Sequence, residues 1–346
     1  MECCSQNGKK WDRMNWNKGF TASYYIGIVD AKTWRDIDRF KVIDGSIKRT
    51  DSNLIESADL ECTHRLDTET WIRVWLDASQ AGSSEHVPLF TGLATSPKIN
   101  YEGNLATYDL ECYSVLKPAN DVLLPRGWYA TPNIEGTYYI EELLSTLPAP
   151  VRFVGNPPRL KDFIIAEDGE SNLSMVYKIL KAMNWRIRIN GYGEIVVCET
   201  ATEPTIKFDT LENDSITPEF EIEHDWFECP NVFRAVMDDT SAVARDDSED
   251  SVLSTVNRGR EIWQQETNCD LNDNETIADY ALRRLQEEQR NVVSISYDRR
   301  FIPDVTVSDV VMLNYPRHNI SGLYYITEQT IKLGYGAETS EEVLRA

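Results

Sequence analysis

The chain has 346 residues and carries 35 Lys and Arg against 57 Asp and Glu, a formal charge of −22. Its 41% hydrophobic content excludes a disordered chain, and its acid excess excludes a protein that grips phosphate backbones, which needs clustered Lys and Arg. No run of about 18 apolar residues exists to span a bilayer, residues 1–20 lack the apolar core of a secretory signal, and the seven dispersed cysteines fit reduced thiols after synthesis in the cytoplasm.

The first third reads as β. Ala58, Leu60 and Cys62 alternate with Asp59, Glu61 and Thr63, and Ala106, Tyr108, Leu110 and Cys112 with Thr107, Asp109 and Glu111. Over 71–76, Ile72, Val74 and Leu76 take one face, and Trp71, Arg73 and Trp75 take the other. Strand side chains repeat every two residues, so each run has one buried and one wet face. Turn signals between the runs (44–45, 51–53, 81–84, 102–104) leave about six strands and no convincing helix. Such a set predicts a closed or nearly closed antiparallel barrel.

Pro118, Pro125, Gly127 and Pro132 make 117–132 a boundary without regular structure. A helix is predicted over 138–147, with Ile140, Leu143, Leu144 and Leu147 as its stripe and Pro148 as its stop. A short strand follows at 151–154. Ser171 caps a second helix over 172–183, Asn184 closes it, and 185–189 with 194–198 form a hairpin around a glycine turn. These elements make a small α/β module.

From Pro204 the chain returns to β. Phe220 and Ile222 alternate with Glu219, Glu221 and Glu223, and 231–237 is a further strand. The polar segment 238–259 reads as a long hairpin or loop. One helix follows, with Asn274 as its cap, a stripe of Ile277, Ala278, Ala281, Leu282 and Leu285, and ion pairs Asp279–Arg283 and Arg284–Glu288. Three strands, at 292–297, 310–314 and 323–333, end the chain. The order is β, α/β, β: an N-terminal arm at 1–20, a first barrel at 21–132, an α/β insertion at 133–203 and a second barrel with one helix at 204–346. Residues 203–279 hold 21 acids against five bases, so −16 of the total charge lies in this window.

Nucleotide, zinc-protease, nucleophile-elbow and paired-cysteine motifs are all absent. The four histidines (64, 86, 224, 318) lie far apart and none has a second ligand at metal spacing. Carboxylate pairs are uninformative among 57 acids, and tryptophans such as Trp71, Trp75, Trp128 and Trp185 more often fill cores than stack on sugars. No catalytic, cofactor or metal site is expected.

Two stretches resemble a known family. Residues 170–185, followed by the strand at 193–197, are similar to the α/β module of bacteriophage baseplate hub proteins, the late control D-like tail tip hubs. The C-terminal run also resembles that family: helix, strand at 292–297, then Pro303, Ser308-Asp309-Val310-Val311 and Gly322-Leu-Tyr-Tyr-Ile326. The family usually has Gly where this chain has Ser308, which implies a slightly altered turn. The resemblance implies a mainly β fold in which two tube-like antiparallel β-barrel domains flank a small α/β domain. It also implies a homotrimer whose six barrels form a pseudo-sixfold ring in the virion tail. That ring would join a hexameric tail tube or distal tail protein to a trimeric spike, tip or fibre protein, with a tape measure protein as a further partner. No specific nucleic-acid binding, membrane insertion or appended enzyme is expected. Glu219, Glu221 and Glu223 are the candidate channel-facing acids, and 238–250 a candidate rim loop. The other readings are a host-surface or glycan-binding tail protein and a cell-wall hydrolase.

Overall fold

The computed structural model describes residues 14–346 except 52, 53, 81, 104, 201, 202, 210–215, 225, 238, 268, 270, 272–274 and 291. Cys3, Cys4, most of the N-terminal arm and the Asn274 cap therefore lie outside the described residues. Two β regions flank an α/β module, and no described helix is long and apolar enough to cross a membrane.

The first region holds β1 (Thr21–Asp30), β2 (Arg35–Thr50), β3 (Glu56–Cys62), β4 (Thr70–Gln80), β5 (Ser83–Glu102) and β6 (Leu105–Ser114). They pair in the order β1-β4-β5-β6-β3-β2, all antiparallel, and β2 pairs again with β1, so the hydrogen bonding closes on itself. The predicted alternation sets the core: Ala58, Leu60, Cys62, Ile72, Val74, Leu76, Leu110 and Cys112 are all buried. Cys62 and Cys112 are free thiols that pack as apolar groups.

The module comprises α1 (Lys117–Asp121), β7 (Tyr129–Ala130), α2 (Gly136–Leu144), β8 (Val151–Val154), β9 (Ile164–Ile165), α3 (Asn172–Met183), β10 (Trp185–Ile189) and β11 (Ile195–Glu199). Its sheet runs β10-β11-β8, with β8 parallel to β11. The expected caps of α3 are present: Ser171 Oγ accepts from the Ser174 N–H at 3.1 Å, and Asn184 closes the helix in the left-handed region. Residues 117–132 are more ordered than their prolines imply. Pro118 sits in the first turn of α1, where its missing N–H costs nothing, and β7 pairs with β9.

The second region holds β12 (Ile206–Asp209), β13 (Ile216–His224), β14 (Val232–Met237), β15 (Thr240–Arg245), α4 (Thr255–Arg258), β16 (Trp263–Thr267), α5 (Ile277–Arg290), β17 (Val293–Arg299), β18 (Val310–Tyr315), β19 (Ile320–Lys332) and β20 (Thr339–Arg345). Six of these pair in the order β12-β18-β19-β20-β17-β13. Numbered within each region in chain order, both sets read 1-4-5-6-3-2. They differ at the first strand: β12 runs parallel to β18, whereas β1 runs antiparallel to β4. The two sets are joined edge to edge by β2 and β19, from Ser46↔Lys332 to Thr50↔Glu328.

Three expectations for this region change. The segment 238–259 is not one long loop: β15 pairs with β14, and Ser254 caps α4. With β16 they form a separate sheet, β15-β14-β16, whose core of Phe233, Ala235, Ala244, Tyr280, Ala281 and Leu285 packs beneath α5. In α5, Leu282 and Ala278 face solvent, while Tyr280 is buried. The Arg284–Glu288 pair forms at 3.1 Å, but Arg283 pairs with Glu275 and Glu287 instead of Asp279. Asp279 is already engaged in a reciprocal cap with Thr276. Finally, four strands end the chain rather than three, because β20 follows β19.

Candidate functional site

Strands β13-β17-β20-β19-β2-β3-β6-β5 form one continuous run of eight, each antiparallel to the next. Because side chains alternate, register assigns every residue of this sheet to a core face or a solvent face. On the solvent face Glu221 lies beside Ser296, Glu342 and Glu328 in one cross-strand row. Asp59 lies beside Glu111, and Glu61 beside Asp109, at the other end. Glu219, Glu221 and Glu223 are exposed on this face, as their alternation predicts. A concavity of about 450 Å³ opens here between Glu219, Glu221, Asp298, Glu328 and Glu342.

The face is thus acidic across both regions, a property the β13 triplet alone did not reveal. Bases are sparse on it: Lys48 meets Glu328 at 2.8 Å and Lys98 approaches Asp109 at 3.8 Å. Both pairs are exposed and contribute little to stability. Within 238–250, the candidate rim segment, Asp246 accepts from Ser251 and Gln289 beside the separate β14 sheet.

On the opposite face the same ladder carries a buried polar row. Tyr297, Glu341, Gln329, Arg49 and Glu56 are successive cross-strand neighbours on β17, β20, β19, β2 and β3. Arg299 Nε and Nη2 donate to the two Glu341 oxygens at 2.9 and 2.5 Å, with both side chains fully buried. Tyr297 Oη donates to Glu341 at 2.8 Å and Gln329 Nε2 at 2.7 Å. Arg49 Nη1 then donates to Gln329 Oε1 at 2.8 Å, across the joint between the two regions. Burial lowers the Arg299 pKa, but the Glu341 charge more than reverses this and holds the guanidinium ionised. At the end of the row the Glu56 carboxyl oxygens have no hydrogen-bond partner among the described residues, and burial pushes the carboxyl up to about 8 despite Arg49 at 3.5 Å. The row pins the register of β2 on β19, which keeps the acidic face continuous.

The α/β module is clamped to both regions. Its β10–β11 turn covers the face of β4 that was expected to be wet, so Arg73 is only 4% exposed. Arg73 Nη2 and Trp34 Nε1 donate to the Tyr192 carbonyl at 3.1 and 2.8 Å, and Thr91 donates to the Gly191 carbonyl at 2.7 Å. Any Cβ at Gly191 would meet the Pro88 carbonyl oxygen at 1.8 Å, so the approach requires glycine. On the other side, buried Asp309 accepts from Arg188 Nη2 and from the Thr306 N–H, both at 3.0 Å. Arg186 donates to the Ser308 carbonyl. Ser308 itself has φ +62°, the left-handed backbone that favours glycine.

Trp71, Trp75, Trp128 and Trp185 do not gather in one cleft. Trp185 is buried, Trp71 packs on Trp34, Trp128 packs on Tyr139, and Trp75 Nε1 donates to Asp36 at 2.6 Å. The histidines are dispersed as expected, against Phe40, Asp77, Trp226 and Phe220. Among the described residues no three His, Cys, Asp or Glu side chains gather as a metal site.

No family model and no curated protein sequence matches the chain. Solved structures do. A tail protein from Neisseria meningitidis MC58 superposes with a TM-score of 0.68 at 14% identity, over 95% of this chain and 97% of that one. The 43 kDa tail protein of prophage MuSo2 from Shewanella oneidensis gives 0.65 at 12% identity, over 94% and 98%. Prophage tail protein gp18 from Listeria monocytogenes EGD-e gives 0.54 at 10% identity, over 94% of each chain. Nearly end-to-end coverage at such low identity means that the strand order and the inserted module are shared although the residues are not: the chain has the fold of these phage tail proteins.

Proposed function

We propose that this protein is a structural component of a phage tail baseplate or tip, acting as a trimeric hub ring and not as an enzyme. The observation that carries the reading is the shared strand order of the two β regions. Three chains, each bearing two such tube-like barrel units, present six similar units in pseudo-sixfold array to a hexameric tail tube. The α/β module then sits once per chain, giving three copies toward a trimeric spike, tip or fibre protein. Such a ring would place the protein in the virion tail, after synthesis in the host cytoplasm.

The acidic sheet face lines the central channel in this reading, with Glu219, Glu221 and Glu223 among its channel-facing side chains. Screening acts over about 8 Å at physiological salt, so a narrow acidic channel keeps a repulsive field. DNA leaving the tail would pass such a wall without adhering. Replacing Glu219, Glu221 and Glu223 with Gln in the phage tests this: slowed ejection or DNA retained on isolated hubs supports the lumen assignment. Unchanged ejection with the triple variant incorporated argues against it.

A further inference from the structure

The alternation of β10 places Ile187 and Ile189 in the core of the α/β module and Arg186 and Arg188 on the other face of its sheet. Register sets Val196 and Arg152 beside Arg188 on that face, and Cys198 and Val154 beside Arg186. This face lines a cavity of about 490 Å³ at the junction of all three parts of the chain. The first β region contributes Arg49 and Pro88 to the cavity, and the second contributes Phe301 and Val305. Arg49, Arg152 and Arg188 therefore converge on one cavity in a chain of charge −22, and Asp304 is the one acid among its described lining residues.

Two of these arginines face ionised partners: Arg152 meets Glu194 and Arg188 meets Asp309, both at 3.0 Å. Arg49 does not. It is only 7% exposed, its Nη1 and Nη2 donate to the neutral oxygens of Gln329 and Leu89, and its Nε has no hydrogen-bond partner among the described residues. The carboxyl beside it, Glu56 at 3.5 Å, is raised to about 8 and is therefore mostly protonated at pH 7. Burial lowers the Arg49 pKa against the pull of Glu56, and the positive charges of Arg299 and Arg188 lower it further. A buried cation that lacks an ionised counter-charge is strongly unfavourable. A guanidinium fork matches the oxygens of a carboxylate or a phosphate.

We propose that this cavity binds a small organic anion, with a carboxylate or phosphate head directed toward Arg49 and Arg188 and an apolar body against Pro88, Val196 and Phe301. The volume lies within the roughly 300–1,000 Å³ of small-molecule sites, and the lining has their usual composition, an apolar wall with a few convergent polar groups. The anion supplies the counter-charge that Arg49 lacks. It also touches the module and both β regions at once, so its binding holds the three parts together. The site stands independently of the ring reading, because one chain contains all of it.

The test melts the full-length chain at pH 7 with 3-phenylpropionate, phenyl phosphate, inorganic phosphate or the uncharged 3-phenylpropanamide. At about a hundredfold excess over its Kd, an aryl anion should raise the melting temperature by about 5 °C. It should also slow alkylation of the half-buried Cys198 by N-ethylmaleimide about tenfold, read by peptide mass spectrometry. Tighter binding of 3-phenylpropionate assigns a carboxylate head and tighter binding of phenyl phosphate a phosphate head; either upholds the site. Two variants locate the binding. Arg49→Met removes the buried cation, and Cys198→Trp fills the cavity while leaving Arg49 and its bonds in place. Each should weaken binding at least about tenfold. Melting without any probe verifies that each variant folds, and if Arg49→Met does not, Cys198→Trp decides alone. An equal shift from the uncharged amide, no shift from any anion at about 50 mM, or undiminished binding by Cys198→Trp overturns the site. Inorganic phosphate binding as tightly as phenyl phosphate overturns the apolar body.

Discussion

Replacing Arg299 with Met should destabilise the protein severely, and removing its partner as well should restore most of the loss. Arg299 supplies two of the four side-chain hydrogen bonds seen at Glu341, and both side chains are excluded from solvent. After Arg299→Met only Tyr297 and Gln329 remain to stabilise a buried carboxylate. Breaking a buried pair on one side costs about 3–5 kcal/mol, because the surviving charge keeps its desolvation penalty without its partner. At roughly 2–4 °C per kcal/mol, the melting temperature should fall by about 6 °C or more. The double variant Arg299→Met/Glu341→Leu removes both charges and fills the space with apolar groups, so it should melt within about 1–2 kcal/mol of the unaltered protein. Differential scanning calorimetry at pH 7 separates the cases. A single variant as stable as the unaltered chain, or a double variant worse than the single, refutes the view that Arg299 and Glu341 satisfy each other within the buried row.

Ser308→Gly should raise stability by up to about 1 kcal/mol, because glycine adopts φ +62° without the Cβ clash and the Ser308 backbone bonds are kept; urea denaturation reads it, and a loss would place the strain elsewhere. Glu56, with its folded carboxyl raised from 4.5 to about 8, holds a proton that the unfolded chain releases near pH 4.5. Its contribution is therefore complete below about pH 4.5 and is lost as pH rises toward 8, at no more than about 1.4 kcal/mol per pH unit. Glu56→Gln should flatten the melting-temperature profile between pH 5 and 8, and an unchanged slope would assign it to other groups. The triple Glu219/Glu221/Glu223→Gln variant should melt within about 1 kcal/mol of the unaltered chain, since these carboxylates are exposed and lack ion-pair partners among the described residues; a collapse in calorimetry would show that they hold the fold.

Much of the fold was legible wherever order is local. The 72, 74, 76 and 58, 60, 62 alternations found their core faces, and α3 was readable to its caps because Ser171 and Asn184 act within one turn. What failed depends on partners distant in sequence. β20 was missed because Glu341 occupies a core position, and its charge is tolerated only through Arg299, 42 residues away. Arg73 was placed in solvent because nothing near it in sequence announces the Tyr192 turn that covers it. The β14 sheet was invisible because its parallel partner β16 follows some thirty residues later, across an acidic stretch. The acidic face shows both sides of the problem. The β13 triplet was found from its own alternation, and Asp59, Glu61, Asp109 and Glu111 were visibly on polar faces. That all of them share one surface depends on the β2–β19 register, which no local pattern encodes.

The account stands or falls on how copies of the chain assemble. Cryo-electron microscopy of the purified protein, alone and with its tail-tube partner, tests this most directly. The account predicts a threefold ring with six similar β units around the axis and the Glu219, Glu221 and Glu223 side chains facing the lumen. A chain that remains monomeric beside its tail-tube partner, or a ring with these side chains on its outer wall, would contradict it.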